Sequence, residues 1–75
     1  MPKLPLVSGA KAVKALQWLG FFVDRQRGSH MVMKKITAEG ERGCVIPMHK
    51  EVAIGTLRSA LKLAGVSPEE FSDTL

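Results

Sequence analysis

The feature that most constrains the fold is a short polar corner between two β-rich runs. Residues 21–27 form the first run, residues 30–36 form the second, and Gly28-Ser29 separates them. Two residues that include a glycine, placed between two such runs, predict a tight β-hairpin. A hairpin would hold the polar groups of the corner firmly at the edge of a sheet.

Segments with helical periodicity flank this hairpin. Apolar residues recur every three or four positions over 9–19, with Ser8 as N-cap and Gly20 as terminator. The same spacing predicts a second helix over 54–64, capped at its start by Thr56 or a residue just before it and ended by the glycine that follows. A serine cap, a proline and a glutamate at the spacing of a capping box then predict a short third helix from residue 67.

The third strand is predicted to be short. Residues 37–43 are polar and contain two glycines, which indicates a turn, so the strand is limited to 44–46 and Pro47 ends it or lies at an edge. The predicted protein is one domain over residues 1–75. Its fold class is α+β of αβββα(α) order, a three-stranded antiparallel sheet with helices on one face. This order is that of the double-stranded RNA-binding domain (dsRBD), although a fold alone does not define a function.

Length and composition restrict the kind of site. A chain of 75 residues buries roughly 60% of its unfolded surface, so a shallow site is expected. No apolar run has the length of a membrane span, and the first five residues lack a secretory signal, so we expect a cytoplasmic protein without membrane contact. A single cysteine, Cys44, excludes an internal disulfide and a cysteine-rich zinc cluster.

Basic residues are concentrated in the first half of the chain. The formal net charge is +4. Residues 1–35 contain seven basic residues and one acidic residue, whereas residues 36–75 contain four basic and six acidic residues. Such a half is typical of proteins that bind a polyanion, most commonly nucleic acid. Charge alone does not decide this, because many small proteins are basic without such a ligand.

His30 is the candidate catalytic residue. RNA is cut when its own 2′-hydroxyl attacks the adjacent phosphate, which requires a base, an acid and nearby cations. An imidazole transfers protons near neutral pH. The polar groups close to it in sequence are candidates to bind phosphate: Arg25, Arg27, Gly28, Ser29 and Lys34. The spacing alone favours the simpler interpretation, a histidine that only begins a strand.

The alternation of side chains along the second predicted strand, residues 30–36, does not decide whether His30 faces the core or solvent. His30 shares a face with Val32, Lys34 and Ile36, and the two methionines between them share the other face. If Val32 and Ile36 face the helices, His30 avoids the core only by lying at the end of the hairpin.

Other candidates lie outside the corner. Lys11, Lys14 and Trp18 share one face of the first helix, and we expect the lysines to steer RNA. Trp18 is expected to pack its edge against a neighbouring strand, with contact to RNA or a partner protein as the alternative. His49 supplies a second acid or base only if the fold brings it to His30, and is otherwise a polar loop residue.

Metal and hydrolase sites are disfavoured. Both histidines and Cys44 together provide too few ligands for a typical zinc site. Ser29 and His30 do not form a hydrolase triad, because neighbouring strand residues point to opposite faces.

Several segments, spread in order over nearly the whole chain, carry a family pattern: Leu4-Pro5, Val7-Ser8-Gly9, Leu19-Gly20-Phe21, Arg25-Gln26-Arg27-Gly28-Ser29-His30, Ile46-Pro47 with His49, Gly55-Thr56-Leu57-Arg58-Ser59 with Leu61, and Ala64-Gly65 with Glu69-Glu70-Phe71. Through them the chain resembles the HicA (YcfA-like) toxin family of toxin–antitoxin pairs. The resemblance implies a dsRBD-like fold and a ribosome-independent mRNA interferase that needs no metal or cofactor.

The resemblance also implies residue roles and a partner. His30 would be the catalytic histidine, with Gly28 and Ser29 around it. A HicB antitoxin would cover the toxin and occlude that histidine. HicB normally brings the DNA-binding domain, so direct DNA binding by this chain is not expected. Trp18 is not typical of the family at its position.

Two other functions are compatible with the residues. A non-catalytic dsRBD-like module would bind RNA across a minor groove without cutting it. A pure interaction subunit would use Trp18 and the acidic second half of the chain, and RNA would not matter.

Overall fold

Six elements make up residues 4–75, the range that the computed structural model describes. In chain order they are α1 (Gly9–Trp18), β1 (Phe22–Arg27), β2 (His30–Thr37), β3 (Gly40–Pro47), α2 (Ile54–Ala64) and α3 (Pro68–Asp73). The strands form one antiparallel sheet in the order β1-β2-β3. The predicted αβββα(α) order is confirmed. Residues 1–3, part of the predicted domain and of the segment predicted to lack a signal, lie outside the described range.

Helices α1 and α3 begin at the N-caps that the sequence predicts, whereas α2 begins after Ala53 without a side-chain cap, so the predicted cap at Thr56 is wrong. The Ser8 hydroxyl accepts a hydrogen bond of 3.1 Å from the backbone N–H of Lys11 at the start of α1. Ser67 and Glu70 form the reciprocal capping box of α3, with two bonds of 3.1 Å. Each bond satisfies an N–H group that has no partner inside its helix. No helix in the described range is long and apolar enough to cross a membrane.

A two-residue turn joins β1 to β2 at the predicted corner. Arg27 pairs with His30 across it. Gly28 has a φ of 59° and lies in open space, whereas Ser29 has a negative φ. This pattern is that of a type II′ turn, whose first central position favours glycine because a side chain is strained there. The Gln26 side-chain amide donates a 3.0 Å hydrogen bond to the Gly28 carbonyl and supports the turn.

β3 is longer than predicted, and the turn before it is shorter. Thr37 pairs with Gly40, so two residues connect β2 to β3 and the predicted turn over 37–43 is wrong in extent. The Thr37 hydroxyl donates a 2.7 Å hydrogen bond to the Gly40 carbonyl and closes the connection. The polar residues that suggest a turn occupy exposed positions of an edge strand, where burial does not require apolar side chains.

The helices cover the face of the sheet on which Met33 lies. Met33 and Ile46 are fully buried and join Leu16 of α1 in one apolar cluster. Ile36, on the opposite face of β2, is 68% exposed. The methionine face therefore contacts the helices, and the face that carries His30 is open to solvent. His30 therefore avoids the core because its whole face of β2 is open, and not because it lies at the end of the hairpin.

Candidate active site on the open sheet face

His30 is the first residue of the central strand, and both neighbouring strands pair with it. Arg27 of β1 lies opposite on one side and Pro47 of β3 on the other. The His30 residue is exposed on the face away from the helices. The backbone is thus fixed from two sides, while the imidazole is accessible to a large substrate.

A β-bulge in β1 decides which way the two arginines point. Val23 pairs with Met33, and both lie on the helix-covered face. The next pair along β1 is Arg25 with Val32, which lie on the open face. Asp24 between them has no partner in β2 and is the extra residue of the bulge. Because strand side chains alternate, one extra residue moves every later side chain to the other face. Arg25 and Arg27 therefore lie on the same face as the catalytic candidate.

Two shallow depressions meet at His30. We call the first the arginine depression; it is lined by Arg25, Arg27, His30, Val32 and Val45. We call the second the histidine depression; it is lined by His30, Val45, Pro47, His49, Glu51, Ala53 and Thr56. His30 and Val45 belong to both, so the depressions form one continuous surface from the two arginines to the second imidazole.

The loop after β3 is tied to the hairpin corner and to the start of α1. The Met48 N–H donates a 2.6 Å hydrogen bond to the Ser29 carbonyl, and the Gly9 N–H donates one of 2.9 Å to the His49 carbonyl. A Cβ atom on Gly9 would lie 2.7 Å from the Cα of Met48, closer than such atoms approach in proteins. Glycine at this position allows the close packing that holds His49 in the histidine depression.

The charge of Lys34 is already paired. Its Nζ lies 3.0 Å from a carboxylate oxygen of Glu41 and 3.8 Å from one of Asp24. The hydrogen bond to Glu41 and the negative charges of both carboxylates raise the pKa of Lys34. Arg25 lies 3.6 Å from the same aspartate, whereas Arg27 makes no ion pair with any described residue. Arg27 is consequently the cation beside His30 whose charge is least compensated.

Lys11, Lys14 and Trp18 are not brought to His30. The apolar side of α1 packs against the sheet, and these three residues lie on its exposed side. Trp18 is 81% exposed, so the expectation that it packs against a strand is wrong. Small and aliphatic residues fill the contact between α1 and the sheet, and position 18 projects away from that contact.

The three possible zinc ligands are also separated. Cys44 pairs with Met33 and is buried on the helix-covered face, and burial raises the pKa of its thiol to about 11. Both imidazoles line the depression on the other side of the sheet. Within residues 4–75, no group of three or more histidine, cysteine or acidic side chains is arranged to hold a metal ion.

Two features of this surface are missed by sequence reasoning. The bulge at Asp24 has one weak signal, an acidic residue inside a β-rich run, where aspartate is disfavoured. Glu51 has no signal, because its place in the histidine depression depends on how the preceding loop packs on α1.

Fold and site together define a class: a small α+β protein whose helix-backed sheet presents an accessible histidine beside arginines on its open face. The family model described as HicA toxin of bacterial toxin–antitoxin matches residues 9–66, which include every candidate site residue. The chain belongs to the HicA toxin family. It is accordingly a toxin of a toxin–antitoxin pair, and a cognate antitoxin is its partner. No curated protein sequence matches the chain.

Proposed function

We propose that this toxin is an endoribonuclease that cleaves mRNA without the ribosome and without a metal ion, and so arrests translation. The observation that carries the proposal is the pairing of His30 with Arg27 at the accessible end of the central strand. An imidazole beside an uncompensated guanidinium supplies the proton transfer and the positive charge that phosphodiester cleavage requires.

The proposed reaction uses the 2′-hydroxyl of the RNA as nucleophile. The 2′-oxygen bonds to phosphorus, and the bond from phosphorus to the 5′-oxygen breaks. A base takes the proton of the 2′-hydroxyl, and an acid gives a proton to the departing 5′-oxygen. The products are a 2′,3′-cyclic phosphate and a 5′-hydroxyl end. His30 acts in one of these proton transfers, which typically contribute 10²–10⁴-fold in rate.

His49 is the proposed second proton-transfer group. It lines the same depression as His30, and two backbone hydrogen bonds hold the loop around it. An acid and a base that both reach the reacting phosphate allow one proton to enter as the other leaves. Glu51 lines this depression too and places a carboxylate in it.

The arginine depression is the proposed phosphate site. Arg25 and Arg27 lie on the same face as His30, and a guanidinium binds phosphate through two parallel hydrogen bonds. Gly28 leaves open space at the corner for close approach of the RNA backbone, and Ser29 offers a hydroxyl there. Lys34 contributes less, because Glu41 already accepts its hydrogen bond.

The cognate antitoxin is proposed to be of HicB type and to cover this open face. Such a partner would occlude His30 directly and bring a DNA-binding domain to the complex. The proposed substrate, mRNA, implies a cytoplasmic location.

The test is cleavage of RNA by the wild type and by His30→Ala, each with and without the antitoxin. We expect cyclic-phosphate products from the wild type, a loss of at least about 100-fold in His30→Ala, and inhibition by the antitoxin. Ile36→Ala is the matched control, because Ile36 is exposed on the same face of β2 but lines neither depression.

Equal cleavage by a folded His30→Ala protein would contradict the proposal. RNA binding by both proteins without chain scission would instead assign the chain to the runner-up, a non-catalytic dsRBD-like RNA-binding module. The αβββα(α) order and the lysines of α1 are compatible with that alternative.

A further inference from the structure

The exposed side of α1 carries a tryptophan and two lysines that the proposed active site does not use. Trp18 is 81% exposed, and it lines a shallow hollow with Lys14 and Gln17. Lys11, Lys14 and Trp18 follow one another at intervals of three and four residues, so they form a single row along the helix. Leaving an indole in water has a free-energy cost, and the row therefore has the features of a binding surface.

The charge of this row favours an anionic partner. α1 contains two lysines and no acidic residue. Trp18 is also the only large apolar side chain of α1 that is exposed. A protein interface needs several apolar residues at its centre, whereas one aromatic ring beside lysines matches the surfaces on which unpaired bases stack.

The N-terminal end of the row is linked to the loop that carries His49. Gly9 is the first residue of α1, and its N–H donates a hydrogen bond to the carbonyl of His49. His49 in turn lines the histidine depression. Lys50 follows His49 and is exposed. From Gly9 to Trp18 the helix extends about 14 Å at 1.5 Å per residue. An RNA strand that runs from His30 to the tryptophan would pass around the end of the sheet at this loop, by Lys50 and the lysines of α1.

We propose that the exposed side of α1 is a second contact for single-stranded RNA, in which an unpaired base stacks on Trp18 and adjacent phosphates lie on Lys14 and Lys11. This inference rests on the proposed function, because it extends the same RNA strand beyond the site of cleavage. It assigns α1 to substrate binding and assigns the sheet face to the chemistry. A duplex cannot offer an unpaired base to the indole, so the contact selects single-stranded substrate.

The chain offers a direct readout, since Trp18 is its only tryptophan and it has no tyrosine. Intrinsic emission therefore reports this one position. In the His30→Ala background, which prevents cleavage, we expect a single-stranded RNA of about ten nucleotides to quench the emission saturably. The same RNA annealed to its complement should quench it far less.

Affinity for labelled RNA gives an independent measurement. Trp18→Ala should weaken RNA binding roughly five- to 150-fold, because it removes the stacking of one base. Trp18→Phe should recover part of the lost affinity. Leu63→Ala is the matched control, because Leu63 is an exposed apolar residue on α2. Lys14→Gln should lower the salt dependence by about 0.7 in log–log slope, whereas Lys62→Gln on α2 should not.

The outcomes separate this inference from the proposed function. If the wild type cleaves RNA and His30→Ala binds it, but emission and the affinity of Trp18→Ala are unchanged, α1 is not an RNA contact and the proposed function stands. If RNA is neither bound nor cut, the proposed function itself fails and this inference with it. A change of Trp18 emission on adding the antitoxin but not on adding RNA overturns the proposal in favour of a protein contact.

Discussion

Arg27 and His30 lie directly opposite each other across the β1–β2 hairpin, and both side chains leave the sheet on its open face. The two-residue turn at Gly28 sets this pairing. The bulge at Asp24 allows Val23, earlier in the same strand, to face the helix-covered side while Arg25 and Arg27 face the open side. Cation and imidazole are thus neighbours through backbone geometry, and no hydrogen bond between them is needed to hold them there.

Arg27→Ala should therefore impair cleavage strongly and stability little. A hydrogen bond to a charged group contributes about 1.5–3 kcal/mol, which corresponds to roughly a 10- to 150-fold loss of kcat/KM. Arg27→Lys should retain only part of the wild-type kcat/KM, because an ammonium cannot form the two parallel hydrogen bonds of a guanidinium. Kinetics on a short RNA and thermal melting check both statements, with exposed Arg58→Ala on α2 as control. Equal losses in Arg27→Ala and Arg58→Ala would show that only net charge matters.

Lys34→Gln should reduce cleavage less than Arg27→Gln, although both remove one positive charge from the open face. The ammonium of Lys34 is already hydrogen-bonded to Glu41 and lies near Asp24, so it has less capacity than Arg27 to bind a phosphate directly. The comparison is made by kcat/KM at low and high salt. A larger effect of Lys34→Gln than of Arg27→Gln would place the phosphate further along β2 than proposed.

The proposed pair of imidazoles predicts a bell-shaped dependence of rate on pH. The base works only when neutral, so the rate falls as pH decreases. The acid works only when protonated, so the rate falls as pH increases. His49→Ala should remove one limb of the bell and leave measurable activity, whereas His30→Ala should abolish most of the rate. If the pH–rate profile of His49→Ala still falls at both low and high pH, His49 is excluded as the second proton-transfer group.

Gly9→Ala tests whether the loop around His49 must be packed closely on α1. The new methyl group meets the Pro47 carbonyl and the Cα of Met48, and such overpacking destabilises by about 1–3 kcal/mol. Displacement of the loop should lower cleavage by one to two orders of magnitude, since roughly 1 Å of misplacement can cost 100-fold. Gly55→Ala is the control, because a Cβ there meets nothing within 4 Å and alanine favours a helix. Its melting temperature should be unchanged or higher.

Cys44 predicts a loss of stability at alkaline pH. Burial raises the pKa of its thiol from 9.0 to about 11, so the folded state holds this proton more tightly than the unfolded state does. The contribution is complete below pH 9 and is lost as pH rises through about 11. Denaturant unfolding at a series of pH values should show this decline, and Cys44→Ala should reduce its slope. Because the two proteins differ only at residue 44, the difference between the two curves isolates the thiol.

Most of the fold follows from local patterns in the sequence. Helical periodicity and caps predict all three helices, and the Gly28-Ser29 corner predicts the first hairpin. The extent of β3 is not predicted, because exposed positions of an edge strand tolerate the same polar residues as a turn. The exposure of Trp18 is missed for a related reason: a large aromatic residue usually packs, and only the path of α1 over the sheet shows that this one does not.

The site is predictable only in part. His30 and its basic neighbours are found from residue type and proximity in sequence. Which face the arginines occupy depends on one extra residue at Asp24, and alternation alone would assign them to the helix-covered side. The proximity of His49 depends on Gly9 and Ser29, which are distant in sequence from the loop that they hold. Such tertiary relationships leave no local pattern.

The central position of β2 has a consequence for control of the toxin. If His30 is the catalytic group, its backbone is paired with Arg27 and Pro47 on either side, so an inhibitor cannot easily bend it out of place. We therefore expect an antitoxin to inhibit by covering this site and not by distorting it. Release of the antitoxin should then restore activity at the rate at which the complex dissociates, with no refolding step.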